Sequence, residues 1–122
     1  MASIVQNMVL STEPLVTEKR NAKVKPSLIM VDNVLALNDS ELTFQDVFTT
    51  DASIVAATGG AVPGAAQVVD RLRINVSVDA CVSMRDELRD IKFLGGAQVI
   101  REEAGVLTAD VNCHVTLGYS HE

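Results

Sequence analysis

The residues best suited to metal binding or nucleophilic chemistry in this 122-residue chain are two histidines, His114 and His121, and two cysteines, Cys81 and Cys113. A zinc site needs three or four such ligands in short-spaced pairs, and a helical HExxH site needs its two histidines one turn apart. Neither spacing occurs here. Cys113 and His114 are neighbours in a segment of period-two hydropathy, where adjacent side chains leave opposite faces, so they cannot grip one ion. The same alternation puts Cys113 on the apolar face, as a small core hydrophobe, and Cys81 on the polar face of its own segment. A disulfide between them is therefore disfavoured if the two segments share a sheet, and Cys81 could at most cross-link subunits. The glycine cluster Gly59-Gly60-Ala61-Val62-Pro63-Gly64 lacks the Lys-Ser/Thr of a phosphate loop and the spacing of a dinucleotide fingerprint. Asp86, Glu87 and Asp90 alternate with Arg85 and Arg89 in the manner of a solvated connection. The expectation is a non-enzymatic chain with no catalytic, cofactor-binding or metal-binding residue and no cofactor.

One charged feature stands out. Lys19, Arg20, Lys23 and Lys25 place four of the ten basic residues within seven positions. They are the candidate contact for a polyanion or an acidic neighbouring subunit, the plainer alternative being a solvated linker. The whole chain is acidic, with net charge -6, which is the wrong sign for a general nucleic-acid footprint. Aromatic residues make up only 3% of the chain, so anchors for base stacking are few. There is no basic, apolar leader and no run approaching a membrane span, so no signal peptide and no membrane partner are expected. Two cysteines are too few for a disulfide framework and fit a chain made in a reducing cytoplasm.

The elements that carry these residues read as mainly β. Residues 1–26 show short apolar pieces punctuated by Pro14 and Pro26, without a sustained period, and are expected to be an extended N-terminal arm. Residues 27–122 are expected to form a single β-rich domain. Leu28 to Leu37 is a nearly continuous apolar run, and Glu41 to Phe48 reads as a strand or as a short helix capped by Ser40. Residues 58–65 read as a loop. From Leu72 to Met84 every even position is apolar or Ala, which predicts one long strand. A second strand is expected over 91–103 with Gly95-Gly96 as a bulge, then a tight turn at Ala104-Gly105, then a third strand with inward residues Leu107 to Tyr119 at the odd positions. The fold expected is an antiparallel β-sandwich or β-sheet with long C-terminal meander strands and at most one short helix.

Strands of that length leave edges to protect, and the third carries only Asp110 between Leu107 and Tyr119. An edge so bare is suited to pairing with another chain, which favours a homo-oligomer formed by strand addition through the arm or the edge. The run Gly60-Ala61-Val62-Pro63, the strand from Arg71 to Ser77, and Ala109-Asp110-Val111 leading to Thr116 and Tyr119 locally resemble coat proteins of small RNA bacteriophages. Those coats end in helices that interlock a dimer, whereas here the sequence stops at Glu122 after its last strand. The resemblance implies a self-assembling structural protein: a subunit of a virus or phage capsid or tail, or of an extracellular filament, resident in the virion or assembled particle. It transfers no RNA-contact residue. The alternative from another class is a small-molecule-binding or enzymatic α+β domain with its site between the sheet and residues 43–69.

Overall fold

The computed structural model describes residues 2–19, 22–49 and 66–122. Among the described residues nine strands make two antiparallel sheets: β1 (Ala2–Met8), β2 (Thr12–Val16), β3 (Val24–Asp32), β4 (Ser40–Thr49), β5 (Ala66–Val76), β6 (Cys81–Met84), β7 (Gly96–Glu103), β8 (Val106–Leu107) and β9 (Asp110–His121). One sheet has the order β1-β9-β3-β6 and the other β2-β7-β4-β5, with β8 paired to β7. Apart from the short β8, each strand of one sheet is followed in the chain by a strand of the other, except at the β4–β5 hairpin. This order is the double Greek key of a jelly roll, an arrangement within the β-sandwich class. Among the described residues the helical content is one 3-10 turn, Asp86–Leu88, so they give the α+β alternative no helical layer; residues 50–65 of the segment it invoked lie outside the described residues.

The two sheets bury a common core. Met8, Val24, Ile29, Val31, Leu42, Phe44, Phe93, Val99, Cys113, Val115 and Leu117 are all fully inaccessible. The period-two reading selects the inward side correctly in β5, where Ile74 and Val76 are buried, and in β9, where Cys113, Val115 and Leu117 are.

Several expectations change. The stretch expected as an arm contributes β1 and β2, which pair with β9 and β7 and bury Met8, Leu15 and Val16. Its apolar pieces are too short to display a period because each is one edge strand of a different sheet. The single strand expected from Leu72 to Met84 breaks at 77–80, where Asp79 adopts φ 63° and the amide of Ala80 bonds back to Ser77 O at 3.2 Å. The alternation survives the break because a chain that crosses from one sheet to the facing sheet keeps the same side toward the interior. The third strand divides likewise into β8 and β9, and β9 lies between β1 and β3. It is a central strand, so its lack of charge reflects burial on both flanks and gives no argument for an open edge.

The glycine pair lies at the entry to β7 and not inside a strand. A Cβ on Gly95 would stand 2.3 Å from Val47 O, and one on Gly96 2.3 Å from Val16 O, so these positions let β4 and β2 approach the turning chain. Ala104 and Gly105, with φ 51° and 82°, form the expected two-residue turn between β7 and β8. Ser40 begins a strand, and its hydroxyl donates to Asn33 Oδ1 at 2.7 Å in place of capping a helix. The loop expected at 58–65 lies outside the described residues.

Candidate functional site: an apolar, acidic end of the sandwich

Four connections converge at one end: 9–11 after β1, 33–39 after β3, 77–80 after β5, and 104–109 between β7 and β9. They are tied by a buried polar hub. Asn33, fully inaccessible, directs its side-chain amide at the carbonyls of Asn38 (3.2 Å), Val76 (3.3 Å) and Ser77 (3.1 Å). Its Oδ1 accepts from Ser40, whose Oγ in turn accepts from Arg101 Nε at 2.9 Å. Arg101 is also fully inaccessible; its Nη1 donates to Thr108 O at 2.9 Å and its backbone amide to Ser11 O at 2.8 Å. Its Nη2 lies 2.7 Å from Glu103 Oε1 and 3.8 Å from Asp110 Oδ2, yet no acceptor is aligned with its N–H bonds. That contact is ionic, without directed hydrogen bonding. Asp39 Oδ1 accepts from Val78 N at 2.8 Å, and Asp110 Oδ2 from Leu37 N at 3.1 Å. Every one of the four connections is thus fastened to the hub or to a carboxylate beside it.

What these fixed loops hold outward is aliphatic. Leu37 is 81% exposed, Leu35 73%, Leu10 and Val106 64%, and Val9, Leu107, Val34 and Val78 are exposed as well. Carboxylates surround them: Asp32, Asp39, Glu41, Asp79, Glu102, Glu103 and Asp110, against the buried cation of Arg101. Glu41 and Glu102 stand directly opposite each other across β4 and β7, a like-charge pairing that costs stability. A cleft of about 600 Å³ opens there, lined by Leu37, Asn38, Asp39, Glu41, Val78, Glu103 and Ala104. Its chemistry is that of a sticky surface with an acidic border. Burial pushes the Cys113 thiol above its ordinary value, and the Ser40 hydrogen bond and the Arg101 charge pull it back only in part. The thiol beneath the hub is therefore protonated and unreactive.

The residues singled out by sequence lie elsewhere. Lys19 and Lys23 are exposed in the connection between β2 and β3, at the opposite end of the sandwich. Arg20 lies outside the described residues. Lys25 is turned inward: its Nζ donates to the carbonyls of Leu88 (2.8 Å), Arg89 and Ile91 (3.1 Å), closing the 3-10 turn, so it is a structural clamp more than a polyanion contact. Cys81 is exposed and Cys113 buried, on different faces as expected. His114 is half-buried on β9, and His121 meets Tyr119 edge-on at 5.6 Å. Among the described residues no group of three His, Cys, Asp or Glu could hold a metal ion. No helix among them is long and apolar enough to cross a membrane.

Sequence reasoning missed the hub. The signal was present for Arg101, which shares the inward parity of Ala97 and Val99 on β7. Asn33 and Ser40 sit in a loop and at a strand start, where a polar residue attracts no notice. No family model matches the chain, and comparison with curated proteins and with solved structures finds no significant similarity.

Proposed function

We propose that this protein is a self-assembling structural subunit, of the kind that builds a virus or phage capsid or tail, or a filament. The observation that carries this reading is the end of the sandwich where four connections expose eight large aliphatic side chains. Contiguous apolar patches above a few hundred Å² are uncommon on soluble monomers and mark interaction surfaces. The eight side chains together leave on the order of 800 Å² accessible, which is the area one partner contributes to a standard interface. They also sit on loops pinned by a buried network, so the surface is preorganised and its docking loses little conformational entropy. Jelly rolls occur in capsid proteins but also in lectins and cupins, so the strand order supports the reading only by analogy. The local resemblance to RNA-bacteriophage coats points the same way. Contact with nucleic acid at Lys19 and Lys23 is a secondary part of the proposal, since Lys25 is occupied in the fold.

Light scattering on purified protein, paired with negative-stain imaging, tests it. Large homo-oligomers are expected, and the double variant Leu35→Ser, Leu37→Ser is expected to shift them toward monomer with little change in the melting temperature of dilute, unassembled protein, where both side chains are exposed. A stable monomer at all concentrations sinks the proposal.

A further inference from the structure

Among the described residues four strands form the principal sheet edges, β1 and β6 in one sheet and β2 and β5 in the other. Three carry features that oppose pairing with another chain. β2 has five residues, contains Pro14, and slips register between Pro14 and Val16. β6 has four residues. β5 is long, but its register shifts opposite Phe44 and Gln45, at Arg71, and it carries Asp70, Arg71 and Arg73. β1 has none of these: Ala2–Met8 runs seven residues with no charge and no proline, and its pairing is regular from Ala2 to Asn7. Exposed aliphatic side chains flank it, Val5 at 62% on the strand, Val9 at 58% and Leu10 at 64% just after it, and Val111 at 53% on the adjoining β9.

We infer that the free edge of β1 pairs antiparallel with β1 of a second copy about a two-fold axis, joining the two four-stranded sheets into one. This rests on the self-assembly reading and names one of its contacts. The occupant follows from charge. A neutral strand lying against its own copy meets no like charge wherever the axis falls, while an acidic or basic peptide would gain no ion pair from it. Self-pairing of β5 would have to accommodate the bulge at Arg71, and whether Asp70, Arg71 and Arg73 attract or repel their copies would depend on where the axis falls. The size also fits: a seven-residue strand is about 23 Å long, and with its flanking aliphatics the pair would bury on the order of 1,200 Å², the lower bound of specific interfaces. Such a contact suits an assembly in which several weak interfaces act together.

Cysteine trapping tests it. In a Cys81→Ser background, Ser3→Cys, Val5→Cys and Asn7→Cys are made singly and mixed pairwise, since directly opposed outward residues sum to one constant in an antiparallel pair. Val68→Cys on β5, 52% exposed, serves as the control. Under mild oxidation only combinations sharing one sum of residue numbers, such as Val5→Cys with itself together with the Ser3→Cys and Asn7→Cys mixture, are expected to cross-link, at least fivefold more than the others and than the control. Val5→Lys, which sets a lysine at the middle of each paired strand, is expected to raise the concentration needed for assembly about tenfold without changing the thermal melt of the dilute, unassembled protein. Equal cross-linking at all positions, or a Val5→Lys protein that assembles as the parent does, overturns the β1 contact while leaving self-assembly standing. A parent protein that remains monomeric overturns both.

Discussion

Replacing Arg101 with Met preserves most of the side-chain volume and removes the charge at the centre of the hub. The lost interactions are the bond from Nε to Ser40, the bond from Nη1 to Thr108 O, and the ionic contacts to Glu103 and Asp110. Asp110 has only 8% of its side chain accessible, so its carboxylate would be left without a counter-charge in a poorly solvated place. Breaking a buried charge network by removing one partner costs about 3–5 kcal/mol. Against a total stability of about 5–15 kcal/mol, this is a large fraction. For a domain of this size about 4 °C is lost per kcal/mol, so the melting temperature should fall by roughly 12–20 °C. The assay is thermal and urea unfolding, with an unchanged m-value showing that the same surface is still buried. Amide exchange should localise the effect: faster at Leu37, Val78 and Thr108, unchanged at Leu94 and Gly95, which bond instead to Asp46 at the opposite end. A loss below about 1 kcal/mol, or exchange that rises evenly over both ends, would refute the hub as the device that holds the four loops.

Three further outcomes are expected. Ala104 holds φ 51°, a left-handed conformation that costs a residue bearing Cβ about 1 kcal/mol or more, so Ala104→Gly should raise stability by about 1 kcal/mol in urea titration. Because burial raises the Cys113 pKa, the folded chain keeps a proton that the unfolded chain releases above about pH 8.5; stability should decline as pH climbs past that value, and the decline should lessen in Cys113→Ala. A thiol reagent should correspondingly label exposed Cys81 at once and Cys113 only on unfolding.

The class of fold was legible because period-two hydropathy reports which side of a strand meets the core, as at Ile74, Val76, Cys113, Val115 and Leu117. Sheet membership was hidden by the same regularity: a strand that passes from one sheet to its facing partner presents an unbroken pattern, so the crossing at Asp79 left no trace beyond one turn-compatible residue. The apolar end was hidden for another reason. Leu10, Leu37, Val78 and Val106 are distant in sequence, and each alone is an ordinary loop hydrophobe. Only the double Greek key brings them together. Lys25 shows the reverse case, a basic residue whose company suggested solvent and whose ammonium is spent on three carbonyls.

The pairing of β1 with β9 and of β2 with β7 governs how the chain must fold. β1 finds its in-sheet partner from Ala2↔Tyr119 to Asn7↔His114, and β2 from Thr12↔Ile100 to Val16↔Ala97. Neither early strand has a neighbour made soon after it; among the described residues, consecutive strands pair with each other at β4–β5 and β7–β8. Closing the remaining loops lowers chain entropy before their contacts form, which places the molecule among slow folders. During synthesis β1 and β2 must wait unpaired until most of the chain has emerged, with their apolar residues open to neighbouring chains. Their late capture makes folding yield, and not only final stability, depend on temperature and on protein concentration.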